Sequence, residues 1–85
     1  MTDHKGLPVH GYNPQSSDKV AAVNANKELE ERVLRQMDAL ASLPAGSVDA
    51  YWYGIARDQI QMGFMALNRA VFQPSRVALP EDKSA

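Results

Sequence analysis

Apolar positions fall into two long stretches separated by a short turn. In the first, Val20 and Val23 and then Leu29, Val33, Met37 and Leu40 recur at three- and four-residue spacing, the period of a helix with one apolar stripe. Ser16 or Ser17 can cap its start, with Asp18 in the first turn beside the exposed amides. The segment "NANK" interrupts the stripe with Asn24 and Asn26. Asparagine is a poor interior helix residue and a good cap, so this segment predicts a kink or a break between a short and a long helix.

Pro44, Gly46 and Ser47 end the first stretch and leave a turn of only a few residues, which makes the flanking helices antiparallel neighbours. The second stretch runs from about Asp49 to Phe72. Trp52, Ile55, Ala56, Ile60, Gly63, Phe64, Leu67, Ala70 and Val71 repeat on one side, and Asp49 suits the helix start. Pro74 stops it, because proline lacks the backbone donor and disfavours helix at the preceding residue. Before residue 16, Gly6, Pro8, Gly11 and Pro14 favour turn and extended geometry. The chain thus divides into an extended N-terminal arm over 1–15, a helical hairpin domain over 16–73 and a C-terminal tail over 74–85. The fold class is all-α, a helical hairpin preceded by a short helix or an extended arm.

Two helices cannot enclose their own stripes, so each keeps one flank in water unless another hairpin covers it. A dimer completing a four-helix bundle is the smallest solution, and Met62 and Met65 add apolar area for further assembly. Gly63 inside the second helix costs up to about 1 kcal/mol relative to alanine, which close approach of another backbone or a ligand would explain. Size points the same way: 85 residues without a cysteine have neither disulfides nor thiolate metal sites to staple a small core.

Nine basic and ten acidic residues leave a net charge of −1, so there is no overall attraction to nucleic-acid polymers or anionic membranes. No apolar run approaches the roughly 20 residues of a membrane helix, and "MTDHKGLPVHG" lacks the core of a signal peptide. The expectation is a soluble protein of a reducing compartment, with the cytoplasm as default.

Little in the sequence carries reaction chemistry. His4 and His10 lie in the arm without cysteine or helical ligand pairing, a poor basis for a metal site. There is no nucleophile elbow, phosphate-binding glycine loop or zinc-protease helix, so neither an enzyme nor a cofactor is expected. Tyr12 offers a ring on which a base could stack, and Lys27 a mobile charge for phosphate. On residue chemistry alone the simpler reading has Tyr12 covering the hairpin's end and Lys27 solvated. Likewise Arg57 and Arg69 read as surface or snorkelling side chains. Tyr51, Trp52 and Tyr53 read as an anchor for the open end of the bundle, and the pairs Glu28/Arg32 and Glu31/Arg35 as a solvated face.

The stretches "GYNPQSSDKV", "NANKELEERVLRQMDAL" and "QMGFMALNRAVFQPSRVALPED" together resemble the phage-encoded anti-CBASS protein 2 family, whose members counter the bacterial cyclic-oligonucleotide-based antiphage signalling system. The likeness covers almost the whole chain, and "GFMALNRAVFQP" and "NANKELEERVLR" are its most distinctive parts. It implies an interlocked homo-oligomeric helical bundle, a homohexamer built as a trimer of dimers in the cytoplasm of the infected host. It also implies that cyclic di- and trinucleotides, such as cyclic GMP–AMP, are sequestered without cleavage. Tyr12 would stack on a base of a cyclic dinucleotide, Lys27 of the other protomer would meet its phosphates beside a helix N-terminus, and Asn13 would be a further contact. Arg69 would line a separate trinucleotide pocket, with Arg57 as the alternative residue. The rival reading is a structural or regulatory hairpin dimer that binds RNA or a protein partner.

Overall fold

A computed structural model of the chain describes residues 10, 11 and 13–83. Two α-helices, α1 (Ser17–Ala41) and α2 (Ala50–Phe72), are followed by a short 3-10 turn at Pro80–Lys83, and no strand occurs among the described residues. Local chemistry sets the ends of both helices. Ser16 is extended and accepts from the Lys19 amide at 3.3 Å, while Asp49 accepts from the Trp52 amide at 2.9 Å, each satisfying an amide that the helix leaves without a partner. Gln73 ends α2 in the left-handed region, with φ 48° and ψ 57°, directly before Pro74. In the connection, the Ser47 amide donates to the Pro44 carbonyl at 3.0 Å. Gly46 supplies the positive φ, 86°, that such a turn needs at its third position.

α1 is one continuous helix, so of the kink or break expected at 24–26 the break does not occur. Asn24 faces solvent, and the Asn26 Nδ2 donates across the hairpin to Asn68 Oδ1 at 3.0 Å. Neither amide then competes for the backbone, and the alanines at 21, 22 and 25 favour helix. The segment ahead of α1 is accordingly extended rather than a separate short helix over residues 13–16.

The helices run antiparallel, as the cross-links from Asn26 to Asn68, Met37 to Tyr53 and Asp38 to Arg57 require. Among the described residues only Val23 and Met37 are buried; Val33 and Leu34 from α1, and Ile60, Phe64 and Val71 from α2, are half-buried. The single stripe expected on α1 therefore splits. Val23, Val33 and Met37 turn to α2, while Val20, Leu29 and Leu40 remain exposed. On α2, Trp52 and Leu67 are likewise exposed.

The aromatic cluster splits too. Tyr53 is the anchor: its hydroxyl donates to the Met37 carbonyl at 2.9 Å and accepts from Arg57 Nη1 at 3.2 Å. Tyr51 and Trp52 pack edge to face, with centroids 5.4 Å apart, yet are 70% and 65% exposed, so they do not close the hairpin's end.

Candidate functional site

Where α2 ends, the arm and the tail meet. Gly11 has φ 82°, and its carbonyl accepts from the Ser75 amide at 3.0 Å. A Cβ built there would lie 2.6 Å from the Ser75 carbonyl oxygen, so both the backbone conformation and the space admit only glycine comfortably. Asn13 uses both ends of its amide: Nδ2 donates to the Gln73 carbonyl at 2.8 Å, and Oδ1 accepts from Ser75 Oγ at 3.1 Å. Gln15 Nε2 donates to the Asn13 carbonyl at 2.7 Å and to the Phe72 carbonyl at 2.9 Å. The second of these satisfies a carbonyl that the end of α2 leaves open. Lys19 Nζ donates to Gln73 Oε1 at 3.3 Å. The arm is thus clasped to residues 72–75 by side chains that differ in sequence by more than fifty positions.

Beside this clasp lies an open groove of about 250 Å³ lined by Asn13, Gln15, Asn68, Arg69, Phe72 and Pro74. Its chemistry is one ring, one proline, three amides and one cation. Arg69 is exposed in the last turn of α2, and its guanidinium has no hydrogen-bond or ion-pair partner among the described residues. The lining holds neither carboxylate nor histidine. A groove of this size falls below the roughly 300–1,000 Å³ typical of small-molecule sites.

The other expected site residues are placed as follows. Tyr12 and His4 lie outside the described residues. Asn13 and Arg69 share the groove. Lys27 is not among the residues that line it: it is exposed on α1, next to Asn26, whose side chain bonds Asn68 of the lining. No helix N-terminus flanks it, because α1 runs unbroken through residues 24–27; the amide donors expected beside Lys27 are tied up in the helix.

Arg57 is committed elsewhere, donating through Nη1 to Asp38 Oδ1 at 3.1 Å and to the Tyr53 hydroxyl. The Tyr53 hydrogen bond first, and the Asp38 contact second, raise its pKa above the ordinary arginine value. Arg57 belongs to the hairpin's own joint, and Arg69 is the arginine that faces the groove. His10 is exposed, and no group of three or more metal-ligating side chains occurs among the described residues.

Reasoning from sequence missed Gln15, Lys19, Gln73 and Ser75. The available signal was the pair of short polar runs "NPQSS" and "QPS" on either side of the hairpin, each a turn former rich in amides and hydroxyls.

A family model described as Acb2/Tad1, hairpin domain, matches residues 5–72. The chain belongs to that family. It is the anti-CBASS protein 2 family that the sequence resembles, and the matched span takes in the arm from residue 5, both helices and the connection between them. Neither a curated protein nor a solved structure matches the chain. Among the described residues no helix is long and apolar enough to cross a membrane.

Proposed function

We propose that this protein is a phage sponge for cyclic oligonucleotides: it binds cyclic di- and trinucleotides such as cyclic GMP–AMP and holds them, uncleaved, away from the host's CBASS effectors. The observation that carries the reading is membership of the Acb2/Tad1 hairpin family over residues 5–72. The groove chemistry supports it. Arg69 can meet a phosphate, the Phe72 ring and Pro74 give an apolar flank for a base, and amides from Asn13, Gln15 and Asn68 line the space between. Tyr12, between Gly11 and Asn13 in sequence, is the stacking residue for a dinucleotide. Lys27 is its phosphate contact, contributed by the neighbouring protomer. Arg69 serves the trinucleotide pocket.

The protein works as a homohexamer, a trimer of interlocked dimers, in the cytoplasm of the infected host. The exposed apolar flank of α2 supports self-association. Ile60, Gly63, Phe64 and Leu67 with Val33 border an open apolar trough of about 470 Å³. A Cβ added at Gly63 would meet nothing within 4 Å in its own chain, so the hairpin itself gives no reason for glycine there.

Calorimetric titration with cyclic GMP–AMP and with a cyclic trinucleotide, followed by heat release and chromatography of the ligand, tests the reading. Binding with intact ligand recovered is the expected result; a linear nucleotide in the released fraction would overturn it. Tyr12→Ala removes dinucleotide binding and leaves the oligomer intact, whereas Arg69→Ala weakens trinucleotide binding selectively.

A further inference from the structure

We infer that Gln73, Pro74 and Ser75, the tripeptide just beyond the family-matched span, form a positioning segment of the nucleotide site. They set where the arm presents its ligand-facing residues. The inference rests on the cyclic-nucleotide reading above and extends it to residues that the match does not include. Three independent restraints converge on the arm. Ser75 donates its amide to the Gly11 carbonyl, its hydroxyl donates to Asn13 Oδ1, and the Gln73 carbonyl accepts from Asn13 Nδ2. The residues on both sides of position 12 are therefore tied to the same short segment.

That segment is itself held in shape. Gln73 adopts a left-handed conformation that non-glycine residues seldom take, and Pro74 fixes the next φ. Together they turn the chain at the end of α2 so that Ser75 faces the arm. Gln73 is anchored in turn by its own amide to the Arg69 carbonyl at 2.8 Å and by Lys19 Nζ on its side chain. Gly11 completes the fit, since any side chain there would strike the Ser75 carbonyl.

A chain end left loose would lose its freedom on binding, and that cost is removed when the arm is already clasped. The segment acts through the arm and needs no contact with the ligand. Its loss therefore weakens binding while the hairpin and the assembly, built on α1 and α2, stay intact.

The test uses full-length Ser75→Ala, Ser75→Thr and Gly11→Ala beside the wild type. Each is titrated with cyclic GMP–AMP, melted, and sized by light scattering. Ser75→Ala is expected to weaken binding about three- to tenfold, the range set by one modest hydrogen bond, with melting and oligomer size unchanged. Ser75→Thr, which keeps the hydroxyl, restores wild-type affinity. Gly11→Ala, losing both the conformation and the clearance, weakens binding by about tenfold or more. Wild-type affinity in both Ser75→Ala and Gly11→Ala, a Ser75→Thr variant as weak as Ser75→Ala, or a loss of affinity accompanied by dissociation would each overturn the positioning role. A wild-type protein that binds no cyclic nucleotide would instead overturn the functional reading on which it rests.

Discussion

The two helices have nearly equal length, 25 and 23 residues, and opposite surfaces. α1 carries charge in most turns and shows water a polar outer face: Glu28, Glu31, Arg32 and Arg35 are all exposed. α2 has only Arg57, Asp58 and Arg69 as charges and no fully buried residue, while Trp52, Met62, Met65 and Leu67 stand more than 45% exposed. Folding the hairpin buries Val23 and Met37 of α1, leaves Val20, Leu29 and Leu40 of that helix exposed, and leaves the larger apolar flank on α2. An apolar surface of this kind on a small chain marks a contact surface, and the proposed assembly would set α2 against its copies and the charged face of α1 in solvent.

A charge placed on each helix tests that division. Leu67→Glu puts a carboxylate into the trough beside Gly63 and Phe64, where association would bury it at a large desolvation cost. The expected result is dissociation to single hairpins in light scattering, with a melting transition that no longer depends on protein concentration. Gln36→Glu, exposed on α1, leaves both unchanged. An intact oligomer in Leu67→Glu would move the contact surface off this flank of α2.

Between the helices the joint is partly polar, and its asparagine pair gives the next effect in size. Asn26 and Asn68 are half-buried and satisfy each other. Asn68→Ala strands the Asn26 amide and should cost about 1–3 kcal/mol, the penalty of an unpaired buried group. The double replacement Asn26→Leu with Asn68→Leu should recover most of that loss, since two apolar partners leave nothing unpaired. Denaturant unfolding at one fixed protein concentration reads both. A single variant as stable as wild type would mean that the pair does not pin the register of the joint.

The same division sorts what was legible in the sequence. Helix ends were, because capping is local: Asp49, Ser16 and Pro74 act within three residues of themselves. The break at Asn24 and Asn26 was misread because the partner that settles Asn26 lies 42 residues away. The apolar stripe on α1 could be counted but not divided, since period alone does not say whether Val33 or Leu29 meets the neighbouring helix. At the groove, Asn13 and Arg69 were each singled out, yet nothing in their spacing joined them. The clasp depends on contacts across 54 to 64 residues, and Gln15 and Ser75 looked like ordinary loop residues. Arg57 is held by Asp38 and Tyr53, and of these only the Tyr53 contact falls at a spacing that the helix period could have suggested.

The smallest expected effect lies on the charged face of α1. Arg35 Nε and Glu31 Oε2 are 2.8 Å apart, with side chains 77% and 55% exposed. The hydrogen bond to Glu31, followed by its charge, raises the Arg35 pKa above the ordinary arginine value. A raised arginine pKa contributes stability that is fully present below the unfolded value and is lost only as pH climbs through the folded one, in strongly alkaline solution. Across the neutral range the contribution is constant, and in so exposed a pair it is small. Glu31→Ala should therefore leave the melting temperature unresolved from wild type in moderate salt and show at most a slight drop at low ionic strength, where screening is weakest. A clear destabilisation would mean that α1's outer face is covered in the assembly, and the contrast between a solvated α1 and a docking α2 would fail on the side where it predicts no change.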